Sequence, residues 1–133
     1  MKSWAIQVAV KTKLDAASAL TALLNDGVNS IRDGVRQDDG FPYIAIYDVA
    51  SQEEDTMAVN GLESLYSIHI WSRYKGQKEV RQIMDEVYNA LHNQPLTISG
   101  STHIMTLFKS SDTFTEEDGE TRRGIANFRI VTE

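Results

Sequence analysis

The chain has no cysteine, so it can form no disulfide, thiolate nucleophile or cysteine-based metal site. It has only two prolines, Pro42 and Pro95, and each is read as a boundary between elements. No apolar run approaches the length of a membrane span. The opening MKSWAIQVAVKTKLDAASAL is interrupted by Lys11, Lys13 and Asp15, which argues against a signal peptide. Lys and Arg number 13 against 19 Asp and Glu, a net charge of −6 with no basic patch. Sequence-independent nucleic-acid binding needs cations against phosphates, so it is excluded as the main activity. The glycines lie singly and read as turn residues, so no phosphate-cradling loop is present. No G-x-S-x-G elbow exists to support a serine nucleophile.

What remains is an ordinary globular composition, 41% hydrophobic and 24% charged, over 133 residues. That length suits one domain with one core, residues 1–133. The stretch from Leu65 to Pro95 organises it. Leu65 to Ser72 alternates aromatic and β-branched residues and predicts a strand. Arg73 to Gly76 turns the chain. Val80, Ile83, Met84, Val87, Tyr88 and Leu91 then form one stripe at a 3.6-residue period, a helix ending near His92 or Asn93 before Pro95.

Residues 3 to 26 carry a second helical pattern, with Ile6, Val10, Leu14, Ala17, Leu20 and Leu24 on its stripe. Asp15 is a candidate cap for a second helix if the first breaks near Lys13. A short edge strand is expected around Ile31. Tyr43 to Ala50 reads as a strand apolar on both faces. Ser51 to Gly61 reads as a long loop. His103 to Thr115 and Thr121 to Thr132 read as a hairpin whose tip contains Asp118-Gly119. The order α, β, β, β, α, β, β predicts an α+β domain: a mostly antiparallel sheet with two main helices packed on one face.

No catalytic constellation stands out. His69, His92 and His103 lack metal-ligand spacing. His92 is read as facing its helix's last carbonyls, and His69 as a partly buried sheet residue. Trp71 and Tyr74 are read as packing residues, because stacking on bases needs nearby basic density. Two acidic segments are left as candidate assembly loops: Glu53, Glu54 and Asp55, and Glu116, Glu117, Asp118 and Glu120. Their dense charge predicts mobile protrusions. The sequence calls for no cofactor, catalytic residue or metal.

Four ordered segments carry a resemblance: Phe41-Pro42-Tyr43-Ile44, Leu65 to Arg73 ending H-I-W-S-R, Ala90-Leu91-His92 leading to Pro95-Leu96, and Asp118-Gly119-Glu120-Thr121-Arg122 before Gly124. Together they resemble the tail-completion, or tail-terminator, family of long-tailed bacteriophages, prophages and gene transfer agents. The resemblance implies a non-enzymatic virion tail protein assembled in the bacterial host cytoplasm. Such a protein forms a ring of its own copies, commonly six, on the head-proximal end of the tail tube. The implied partners are the tail-tube protein and head-completion or connector proteins, with DNA only passing through the lumen and no membrane. A head-tail connector is the alternative within virion proteins. A small ligand-binding α+β domain is the alternative outside them.

Overall fold

Helix α3 (Lys78–Leu91) buries Val80, Ile83, Val87 and Leu91, four of the six residues of the expected stripe, with Met84 half-buried. Burying each such side chain is worth about 1.5–3 kcal/mol, so this stripe anchors the domain. The computed structural model describes residues 3–34, 40–53 and 61–133. Among them run α1 (Ser3–Asp15), α2 (Ser18–Thr21), a single 3-10 turn (Gly27–Ser30), β1 (Ile31–Arg32), β2 (Tyr43–Glu53), β3 (Leu62–Ser72), α3, β4 (His103–Thr115) and β5 (Arg122–Thr132). The five strands form one sheet in the order β1-β2-β3-β5-β4. Every neighbouring pair is antiparallel except β1 with β2. The α+β architecture is the one the sequence predicts.

Period-two alternation assigns one sheet face to the core. Ile44 and Ile46, then Tyr66, Ile68 and Ile70, then Ala126, Phe128 and Ile130 pack with the buried residues of α1 and α3. Opposite Ile70 in this layer stands Gly124. A Cβ there would lie 2.7 Å from Met84 Cε and 2.9 Å from Val80 Cγ2. Gly124 is therefore the point where α3 rests directly on the sheet, a mid-strand role rather than the turn expected of it.

Several boundaries differ from expectation, for local reasons. The first helix stops at Asp15, whose carboxylate takes the Lys11 ammonium at 2.9 Å instead of capping α2. Ala17 occupies the N-cap of α2, without a side-chain bond. Strand β2 continues to Glu53, in register with β3 down to Leu62. The Ser51 hydroxyl meets that of Ser64 at 3.2 Å across this extension. Tyr88, also expected on the stripe, is exposed, and its ring stacks on His92 with centroids 4.6 Å apart.

Candidate functional site

Among the described residues the helices pack on one sheet face only, and on the other face the rows run in register from strand to strand. Tyr43, Trp71, Arg123 and Phe114 form one row across β2, β3, β5 and β4. Tyr43 stacks on Trp71 with centroids 5.0 Å apart. The Arg123 guanidinium lies 4.7 Å over the other ring system of this pair, Trp71. Arg123 also reaches Glu116 Oε1 at 3.3 Å and His69 Nδ1 at 2.6 Å. A guanidinium only donates, so His69 accepts through Nδ1 as a neutral imidazole. Burial first, and then the Arg123 charge, push the His69 pKa down to about 4. Trp71 is thus a packing residue, as expected, and His69 a half-buried sheet residue.

A second row is polar. Ser67 donates to Asn127 Oδ1, and Asn127 Nδ2 donates to Ser110 Oγ at 3.0 Å. Further along, Arg129 Nε donates to Glu63 Oε2 at 2.6 Å. These cross-strand bonds tie neighbouring strands together on this face.

The hairpin tip is tied as well. Asp118 Oδ1 accepts the backbone N–H groups of Glu120 and Thr121, each at 2.9 Å. Its Oδ2 accepts the Thr121 hydroxyl at 2.7 Å. Gly119, at φ 74°, makes the turn that only a residue tolerant of positive φ accepts cheaply. Arg73 donates to Thr121 Oγ1 at 3.2 Å and lies 4.5 Å over the Phe41 ring. The Thr121 and Glu120 hydrogen bonds, with a smaller contribution from Arg73, hold the Asp118 pKa at about 2. The Asx-type bonds of Asp118 are a local tie that charge density does not reveal.

The two acidic segments lie at opposite ends of the sheet. Glu53 is level with Leu62, Thr132 and His103, whereas Glu116 follows the Thr115–Arg122 pair. Glu53 is an exposed strand residue; Glu54 and Asp55 lie outside the described residues. Glu116 pairs with Arg123, and Glu117 and Glu120 are exposed. No three His, Asp or Glu side chains converge on a metal-sized site among the described residues. His103 Nε2 meets Thr106 Oγ1 at 2.7 Å, and burial lowers its pKa. His92 does not face its helix's carbonyls: its Nδ1 accepts the Phe108 N–H at 3.0 Å.

Sequence reasoning missed a cleft of about 660 Å³ between α1 and β1. It is lined by Trp4, Val8, Val28 and Ile31, among others, and Trp4 is 66% exposed. The available signal was Trp4 and Val8, an i, i+4 apolar pair off the buried stripe of α1.

Comparison with known proteins agrees with this frame. The profile of the family described as tail completion protein gp17 matches residues 8–133. The tail completion protein gp17 of Bacillus phage SPP1 is 27% identical over 131 residues, 98% of this chain and 94% of that protein. Among solved structures, a chain of the virion of a native gene transfer agent particle superposes with TM-score 0.84 at 23% identity, covering 99% of this chain and 97% of that one. The structure of the bacteriophage SPP1 gp17 protein superposes with TM-score 0.62 at 24% identity, covering 98% and 94%. With a family profile spanning nearly its whole length and a sheet-and-helix frame shared with both structures, this chain belongs to the tail completion protein gp17 family.

Proposed function

We propose that the chain is a structural component of a phage-type tail that closes into a ring, commonly of six copies, on the head-proximal end of the tail tube. The ring stops tube growth and presents the surface that meets the head-completion proteins. The observation that carries this reading is the family match over residues 8–133. The fold it shares with a chain of a gene transfer agent virion adds support for a place in the particle. The physical logic is that termination needs two unlike ring faces, one that docks on the last tube ring and one that recruits no further tube subunit. A closed ring built from one heterologous contact supplies both. The role is assembly rather than catalysis, with the tube protein, the head-joining proteins and further copies of itself as partners, and DNA only in transit.

Electron microscopy of tails assembled with and without the protein tests this. Tails made without it are expected to be overlong and unable to join heads, and added protein should cap purified tubes. Tails of normal length in its absence would refute termination. Binding to tail-less capsids in preference to tubes would place it on the portal side instead.

A further inference from the structure

Helix α3 ends against the edge of the sheet. Its C-cap, His92, leaves the helix with extended backbone, and Asn93 follows at φ 60°, a conformation that asparagine tolerates. This exit turns the Asn93 N–H onto the Thr106 carbonyl of β4 at 2.8 Å. Further along the strand, the Phe108 N–H donates to His92 Nδ1 at 3.0 Å. A ring nitrogen that accepts carries no proton, so the His92 proton sits on Nε2. Tyr88 holds the imidazole in place: its ring stacks on His92 with centroids 4.6 Å apart and stands edge-on to Phe108 at 5.3 Å.

β4 is an outermost strand, paired only with β5 among the described residues. Thr106 and Phe108 aim these backbone groups away from β5. The last turn of α3 therefore makes, with one N–H and one imidazole nitrogen, bonds that a sixth strand would make there. A bulge between Phe108 and Ser110 shifts the alternation by one, so beyond it Ser111, Thr113 and Thr115 aim outwards. No backbone bond takes up these outward groups among the described residues. One charge, the exposed Asp112, stands in this part of the strand. Unpaired edge groups are a template for another strand, and natural sheets blunt them with a bulge, a charge or a cover. β4 carries all of these in series along one edge. Without the cover, the pairing edge would run on through Phe108 to Thr106.

We infer that the last turn of α3 is an autoinhibitory cover: His92, supported by Tyr88, occupies the edge of β4 and keeps free subunits from pairing edge to edge. The strand it excludes is β4 of a second copy. In a solution of the subunit alone, that same edge on another copy is always at hand, and two copies of one edge pair antiparallel about a two-fold axis. Such a contact is isologous, so it would draw subunits into closed pairs and away from a ring built on one heterologous contact. The cover acts on the subunit before assembly and does not depend on where a ring would sit.

Amide exchange on the parent protein gives the first reading. The N–H groups of Phe108, Ser111, Thr113 and Thr115 all point outwards, but only that of Phe108 is covered. After correction for intrinsic rates it should exchange more slowly than the others by about tenfold or more. Equal rates would overturn the cover. His92→Phe keeps a ring to stack on Tyr88 and removes the acceptor, whereas His92→Asn restores an acceptor oxygen close to the place of Nδ1. In sedimentation over a concentration series, His92→Phe is expected to pair at concentrations lower than the parent by about tenfold or more, and His92→Asn to behave like the parent. Adding Ser111→Lys places like charges on the facing edges and should return His92→Phe to the parent's behaviour. Tyr88→Ala, at an exposed position, loosens the imidazole and should show the same two changes even where His92→Phe is too unstable to purify. Variants that exchange Phe108 faster yet stay as monomeric as the parent would overturn autoinhibition. So would association that Ser111→Lys leaves unchanged.

Discussion

Gly124→Ala is the sharpest test of how α3 sits on the sheet. The new Cβ would meet Met84 Cε at 2.7 Å and Val80 Cγ2 at 2.9 Å. Met84 is flexible and half-buried, so its end can swing away. Val80 is stiff at χ1 and fully buried, so it cannot. Relief has to come from a shift of the helix or a strained rotamer, and overpacking of this kind costs about 1–3 kcal/mol. Removing glycine from the unfolded chain returns about 0.4–1 kcal/mol. The net destabilisation is then between about 0 and 2.6 kcal/mol. With an unfolding entropy of about 2.1 cal/mol/K per residue over this chain, that corresponds to a melting temperature lower by up to about 9 °C. Calorimetry or circular dichroism on the soluble subunit reads it directly. Combining Gly124→Ala with Val80→Ala removes the stiff contact, so the double variant should be more stable than the sum of the two singles by about 0.5–3 kcal/mol. A Gly124→Ala chain that melts higher than the parent, or a strictly additive double variant, would sink the argument.

Val87 is fully buried on the same stripe, and Val87→Asp is expected to cost several kcal/mol and leave little folded protein in the soluble fraction. A soluble variant with the parent's melting temperature would show that this face of α3 is not core. His69 is neutral in the folded state with its pKa pushed down to about 4, below the ordinary value of 6.5. The unfolded chain therefore takes up this proton first. Stability from this group is complete above pH 6.5 and is lost as pH falls from there toward 4. His69→Gln is expected to flatten that part of the melting-temperature profile, and a variant with the parent's full loss between pH 6.5 and 4 would show that His69 is not the group involved.

Legibility followed the type of signal. Helix α3 and strands β3 and β5 were readable because each has a long period and one apolar side, as in Val80 to Leu91 and Tyr66 to Ile70. Strand β1 was readable only as a place, around Ile31, because two residues carry no period. Its parallel pairing with β2 depends on a chain path that no local pattern encodes. Gly124 was misread because a turn glycine and a glycine under a helix look alike until the partner above, Val80, is in place. The role of His92 was misread for the same reason: the Phe108 N–H that it accepts lies 16 residues away. The sheet face away from the helices was the least legible part. Its order comes from cross-strand partners such as Arg123 with His69 and Arg129 with Glu63, which sequence spacing does not reveal.

The hairpin tip separates charge from shape, two properties that the run Glu116 to Glu120 confounds. Glu117 is exposed and contributes only charge, whereas Asp118 fixes the turn through three accepted hydrogen bonds. Asp118→Asn keeps an acceptor oxygen for the Glu120 and Thr121 N–H groups but removes the charge that faces Arg73 at 3.8 Å. Asp118→Ala removes both. If the tip acts in assembly through its shape, the Asn variant is expected to cap tubes nearly as well as the parent. The Ala variant should then cap poorly and exchange its Thr121 amide hydrogen faster. If it acts through charge, both variants should fail alike, and Glu117→Ser should fail with them. The same clamp has a pH signature. With the Asp118 pKa held at about 2 against an ordinary 3.8, its contribution is present above pH 3.8 and is lost as pH falls through 2. Amide exchange at Thr121 that is unchanged between pH 4 and pH 2, after correction for the intrinsic rate, would show that Asp118 does not hold the turn. Because the clamp lies within one copy while Glu117 and Glu120 point to solvent, subunit melting and tube capping report on different atoms of the same five-residue tip.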